Sequence, residues 1–123
     1  MPVAKITSIY SPWTDHLETY KPKSPKNFGL GVHFFLSFEG EEYRDRFALF
    51  VCTLEWLEER LSGRGFISGS NMLIVSRYDF KQIAAYINDL VKRFDEDDFK
   101  IIARKIHGFA EWEGWDYPFK QVR

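Results

Sequence analysis

One stretch of the sequence, residues 47–61, limits the possible folds more than any other. Its first six residues, Phe47 to Cys52, are all apolar, which is typical of a buried β-strand. Thr53 is suited to end that strand and to cap a helix. Three leucines then fall on one stripe of that helix: Leu54, Leu57 and Leu61. A buried strand that leads directly into an amphipathic helix predicts an α+β domain.

A strand upstream of this stretch is predicted by the clearest alternation in the chain, over residues 28–39. Apolar side chains occupy every even position of the segment, so one face of the strand should be dry and the other wetter. Residues 39–41 (Glu-Gly-Glu) are typical of a tight connection, after which residues 42–52 would complete a hairpin. In that returning strand, Arg44 and Arg46 share the face opposite the apolar residues.

The remaining elements are predicted from shorter signals. Residues 3–10 are rich in β-branched side chains and predict a first strand, and residues 72–75 predict a short central strand. Asp79 and Gln82 form a capping-box pattern at the start of a long amphipathic helix, and residues 99–106 predict a third helix.

The bulk properties of the chain fit one domain. Its 123 residues suffice for one core, so we expect residues 1–123 to form a single α+β domain. The sheet should be mostly antiparallel, with about four strands packed against about three helices. The net charge of −1 does not suit a general nucleic-acid-binding protein. Aromatic residues make up 18% of the chain, too many for a small core, so some should be exposed and mark a binding surface.

The sequence also carries signals about location. The first ten residues lack the basic and apolar regions of a signal peptide. No apolar run approaches the ~20 residues needed to span a membrane, so we expect no membrane partner. The single cysteine, Cys52, excludes an internal disulfide. These features predict a cytoplasmic protein.

No pattern in the chain predicts catalytic or metal chemistry. The three histidines, His16, His33 and His107, have no partner at the spacing of a metal site. Cys52 follows five apolar residues, where burial would raise the pKa of the thiol rather than activate it. The GxSxG nucleophile motif and the phosphate-binding loop are absent from the sequence. We therefore expect no enzymatic activity, no metal and no cofactor.

The segment near the C-terminus combines acidic and aromatic residues. Three acids stand among three large aromatic residues in it: Glu111, Trp112, Glu113, Trp115, Asp116 and Tyr117. In one interpretation these residues contact a basic partner, with the rings as anchors and the carboxylates facing Lys or Arg. In the other, the tryptophans close the end of the core and the acids only solvate the segment. Both interpretations stay open, and both can hold at once.

The order of several short motifs resembles that of a known protein family. The motifs are Cys52–Leu57, Leu73–Val75, Tyr78–Phe80, Ile102–Ile106 and the segment Trp112–Tyr117. They resemble the immunity protein family eight of bacterial polymorphic toxin systems, over about residues 4–117. The chain departs from the family at Leu54, where we expect a proline, and this should reduce the preorganisation of the helix slightly.

The resemblance implies a small cytoplasmic protein that binds a cognate toxin domain and blocks it, as in contact-dependent growth inhibition. Such toxins are often nucleases or other enzymes, and the partner would be a protein rather than a nucleic acid or a membrane. The six residues of the acidic and aromatic segment are our predicted toxin contacts, and the oligomeric state is not predicted. The residues alone leave other functions open: a small hydrolase using a carboxylate or His33, another protein-interaction module, or a nucleic-acid-binding module using Lys21, Lys23 and Lys26.

Overall fold

The computed structural model describes residues 4–38, 44–94 and 98–114. Five strands and three helices lie within these ranges. In chain order they are β1 (Ala4–Tyr10), β2 (Gly29–Phe38), β3 (Asp45–Thr53), α1 (Leu54–Arg64), β4 (Met72–Val75), α2 (Phe80–Arg93), α3 (Phe99–Ile106) and β5 (Glu111–Trp112). The tight connection predicted at residues 39–41 lies outside the described residues.

The strands form a mixed sheet in the order β1–β2–β3–β4, and β5 also pairs with β3. The pairs β1–β2, β2–β3 and β3–β5 are antiparallel. Strand β4 runs parallel to β3, because helix α1 carries the chain back before β4 begins. The predicted fold class, α+β with a mostly antiparallel sheet of about four strands and three helices, is confirmed.

The core lies between one face of the sheet and the helices α2 and α3. The predicted alternation of β2 is confirmed, since every even position from Leu30 to Leu36 is buried. In β3 the odd positions from Phe47 to Val51 are buried as well, and the rings of Phe34 and Phe47 stack at 5.2 Å. The helices complete the core with apolar residues at helical spacing: Ile83, Ile87, Leu90, Val91, Phe99, Ile102 and Ile106.

Both core helices begin at an aspartate. The Asp79 side chain accepts the Lys81 backbone N–H at 3.0 Å, and the Asp98 side chain accepts that of Lys100 at 2.9 Å. Each bond satisfies a donor that the first helical turn leaves without an intrahelical partner. The helix start predicted at Asp79 is therefore confirmed.

Helix α1 does not pack as its leucines predicted. No residue of α1 is buried, and Leu54 and Leu61 are 64% and 40% exposed. The helix instead contacts the sheet through Trp56, whose ring lies 4.9 Å from that of Phe50. Phe50 alternates with the buried residues of β3, so α1 lies over the face of the sheet opposite the core. The expectation of a core-facing leucine stripe was wrong because α2 and α3 fill the core from the other side.

Thr53 connects β3 to α1, but its side chain makes no capping hydrogen bond. Its hydroxyl instead accepts the Phe28 backbone N–H at 3.2 Å, and its own N–H donates to the Phe28 carbonyl at 3.2 Å. Thr53 is only 1% exposed. The residue therefore ties the end of β3 to the start of β2 inside the fold, a role that its position before a helix did not predict.

Candidate interaction surface

The predicted contact segment begins on β5, which pairs with β3 at Phe47 and Ala48. Glu113 continues this pairing, since its N–H donates to the Arg46 carbonyl at 3.0 Å. The structure thus brings the first half of the segment onto the edge of β3. The second half lies outside the described residues: Trp115, Asp116 and Tyr117.

The Trp112 side chain points to the core side of the sheet, where it is half-buried and packs against the core cluster. Its indole N–H donates to Asp45 Oδ2 at 3.1 Å, which accounts for an aspartate in line with the apolar odd positions of β3. Gly114 lies directly against the ring, since a Cβ there would be 2.9 Å from the indole. The geometry of Trp112 fits a residue that closes the end of the core.

Glu111 and Glu113 flank Trp112 and point to the other face of the sheet, as successive residues of a strand do. Both are exposed, and Glu113 forms an ion pair with Arg46. The structure therefore separates the acids of the segment from its first tryptophan. The two carboxylates lie on a surface that faces away from the core.

That surface carries a cluster of aromatic and cationic side chains. We call it the open face and define it by six residues: Tyr10, His33, Phe35, Arg44, Arg46 and Phe50. The rings of Tyr10 and Phe35 stack at 5.8 Å, and the His33 ring meets Tyr10 edge-on at 5.4 Å. The Arg44 guanidinium lies 4.1 Å from the centre of the Phe35 ring. These contacts give the side chains a defined arrangement on the side of the sheet opposite the core.

The charges on the open face are unevenly compensated. Arg46 donates a hydrogen bond to the Tyr10 hydroxyl oxygen, and this bond together with the nearby Glu113 carboxylate raises the pKa of Arg46. Burial, together with repulsion from Arg46, lowers the pKa of His33, while the Glu113 carboxylate opposes this shift. Arg44 contacts the Phe35 ring, and no acidic partner for it is found within the described residues. Arg44 therefore holds its positive charge over an aromatic ring, outside the Arg46–Glu113 ion pair.

Toward helix α1 the open face becomes apolar. Trp13 is 62% exposed, and its ring lies edge-on to Phe50 at 6.0 Å. Gly31 lies beneath the Trp13 ring. A Cβ at this position would lie 3.5 Å from the ring, which is ordinary van der Waals contact. Ile74 of β4 is also exposed on this side. Exposed apolar side chains therefore also lie on this side of the sheet near α1 and β4.

The cluster was not predicted from the sequence, although two of its parts were visible there. The wetter face of β2 holds His33 and Phe35, and the same face of the returning strand was predicted to hold Arg44 and Arg46. Tyr10 joins them only through the register of β1, which places it opposite His33 after an irregularity between Ile6 and Ser8. A one-residue slip moves a side chain to the other face, so this register was needed to find the cluster.

No group of three His, Cys, Asp or Glu side chains among residues 4–38, 44–94 and 98–114 could hold a metal ion. Burial raises the pKa of the Cys52 thiol, as its apolar strand predicted. In the same ranges, no helix has the length and apolar character to cross a membrane.

Comparison with known proteins finds one similarity. A family model described as Immunity protein 8 matches residues 4–117, which is nearly the whole chain and the span over which the motifs resembled that family. No curated protein and no solved structure matches the chain.

Proposed function

The chain belongs to the Immunity protein 8 family, and from this membership we propose that it binds a cognate bacterial toxin domain and neutralises it by one-to-one occlusion. The observation that carries the proposal is the family match over residues 4–117, which includes every described strand and helix. In this function the protein is a binding partner rather than an enzyme. It acts in the cytoplasm of the protected cell, and a nuclease is one candidate for the toxin.

The contacts we propose include the segment predicted from the sequence. Glu111 and Glu113 are exposed beside the open face, where a basic group of the toxin could reach them. Trp112 contributes by holding this edge of the sheet in place. Trp115, Asp116 and Tyr117 remain proposed contacts that lie outside the described residues.

Lasting protection requires tight binding. An affinity of about 1 nM corresponds to roughly 12 kcal/mol of binding free energy. A surface that is already ordered loses less conformational entropy on binding, which favours such affinity. The sheet supplies this order, since its opposite face is anchored in the core.

Co-expression in bacteria tests the proposal. The toxin domain encoded by the adjacent upstream gene is induced with or without this protein, and surviving colonies are counted. We expect growth to be restored in proportion to the protein present, up to one copy per toxin. Equal killing with and without the protein would refute the proposed function.

A further inference from the structure

We propose that the cognate toxin docks on the open face of the sheet and places a carboxylate of its own against Arg44. This inference rests on the proposed function and goes beyond it, because it names the surface and one element of the partner's chemistry. It also extends the predicted contact segment, since Glu111 and Glu113 border the same face.

The open face carries the kinds of side chain that protein interfaces favour. Tyrosine, tryptophan and arginine are the residues most enriched at the energetic centres of protein interfaces. The open face presents Tyr10, Arg44 and Arg46 within one cluster, and Trp13 extends it toward α1. The exposed positions of α2 are instead small, amide or charged, with Lys81, Asn88 and Lys92 among them. Of these two surfaces, the open face has the composition of an interface.

Arg44 carries a positive charge that has no ion-pair partner among residues 4–38, 44–94 and 98–114. Arg46 forms an ion pair with Glu113, whereas Arg44 is exposed and lies over the Phe35 ring. A guanidinium stacked on a ring keeps its hydrogen-bond donors free at the edge. A carboxylate can bind two of these donors at once. Charge complementarity therefore selects an acidic side chain of the toxin as the group opposite Arg44.

The side chains of the open face are held in place by contacts with one another before a partner binds. Tyr10 and Phe35 lie on neighbouring strands, and their rings stack with 17° between the planes. Arg44 immediately precedes β3 and rests on one of these rings. Side chains held in this way lose less rotamer freedom when a partner docks.

A sheet face with aromatic rings and arginines can also stack single-stranded RNA. The charge of this chain favours a protein partner instead, because the net charge is −1 and α1, on the same side of the sheet, carries three glutamates against two arginines. Phosphate-rich ligands would be repelled by these acids. RNA binding would contradict the proposed docking of a toxin, and the experiment therefore tests for it.

The experiment measures the affinity of the full chain for the purified toxin domain encoded by the adjacent upstream gene, by titration calorimetry. We expect Arg44→Glu to raise Kd at least about tenfold, since it replaces attraction to a carboxylate by repulsion. Arg44→Lys keeps the charge but loses the planar fork, so its Kd should lie between those of wild type and Arg44→Glu. Lys81→Glu makes the same charge reversal on α2 and should leave Kd within about twofold, as a residue outside the interface does.

A second variant distinguishes a loss of binding from a loss of folding. Trp13→Ala removes a ring that is 62% exposed, so it should weaken binding while leaving the unfolding transition in place. If wild type binds and protects, and both Arg44→Glu and Trp13→Ala bind as wild type does, the open face is not the docking surface, although the proposed function stands. If wild type neither binds nor protects, the proposed function itself fails.

Binding of RNA is measured by fluorescence anisotropy with a labelled single-stranded RNA oligonucleotide. We expect no saturable binding at physiological salt. Tight, salt-sensitive RNA binding that Arg44→Glu abolishes, together with no binding of the toxin domain, would overturn the inference.

Discussion

At the scale of single residues, Thr53 shows how one hydroxyl can join two strands. It is buried and accepts the Phe28 N–H, which would otherwise have no partner inside the fold. Thr53→Val keeps the side-chain shape and removes this acceptor. Leaving a buried donor unsatisfied costs about 1–3 kcal/mol, so we expect the free energy of unfolding in urea to fall by that amount.

The control for this variant is a hydroxyl on the surface. Ser62 donates to the Glu59 carbonyl at 2.8 Å, but this bond is exposed and water can replace it. Ser62→Ala should change the free energy of unfolding by no more than about 0.5 kcal/mol. Equal stability of Thr53→Val and wild type would show that the Thr53 hydroxyl does not stabilise the strand junction.

His33 makes the stability of the fold depend on pH. Its pKa is lowered in the folded state by burial and by Arg46, while Glu113 opposes this and the Tyr10 hydroxyl lies 3.4 Å from Nδ1. The unfolded chain therefore binds a proton more readily than the folded protein does. Stability from this site is complete above pH 6.5 and is lost as the pH falls through the lowered pKa of the folded state.

We therefore expect the stability of His33→Gln to fall less than that of wild type as the solution becomes acidic. Thermal unfolding is followed at pH 7.5 and at pH 5, and the loss of stability over this interval is compared between wild type and variant. Carboxylates titrate in both proteins, so the difference between the two losses isolates His33. A loss as large in His33→Gln as in wild type would show that another group is responsible.

At the scale of elements, Gly29 makes room for the contact of Trp56 of helix α1 with the sheet. A Cβ at Gly29 would lie 2.6 Å from both the Phe50 and Trp56 rings, closer than side-chain atoms can approach. Gly29→Ala should therefore push α1 from the sheet and lower the free energy of unfolding by about 1–3 kcal/mol. Urea unfolding followed by far-ultraviolet circular dichroism measures this loss.

Gly31 is the matched control, because it lies two residues further along the same face of β2. A Cβ there would meet Trp13 at 3.5 Å, which is ordinary contact. Gly31→Ala should leave stability unchanged or raise it by up to about 1 kcal/mol, since alanine restricts the unfolded chain. If the two variants were equally stable, close packing of Trp56 would not explain the glycine at position 29.

The same elements show how far the sequence could predict the fold. Burial was assigned to the correct residues in three elements: β2, β3 and α2. In each of them the apolar residues fit the pattern of a single kind of secondary structure. The leucines of α1 matched the helical period equally well, but a period cannot say on which side of the sheet a helix lies. The open face was missed for a related reason: Tyr10 and Phe35 are 25 positions apart, and only the irregular register of β1 brings them together.

At the scale of the whole molecule, the sheet separates stability from recognition. One face is buried under α2 and α3, and the other carries rings and charges that do not belong to the core. Substitutions on the two faces should therefore act on different measured quantities. β5 offers the closest comparison, because Trp112 and its neighbour Glu111 point to opposite faces of the same edge.

Trp112→Ala removes a half-buried indole and its hydrogen bond to Asp45. We expect the free energy of unfolding to fall by about 2–3 kcal/mol, somewhat less than for a fully buried tryptophan. Glu111→Lys changes only an exposed charge, so stability should stay within about 0.5 kcal/mol, while Kd for the toxin domain rises. Urea unfolding and calorimetric titration measure the two quantities on the same samples. If Trp112→Ala weakened binding without loss of stability, the tryptophan would be a contact rather than a support, and the division between the two faces would not hold at this edge.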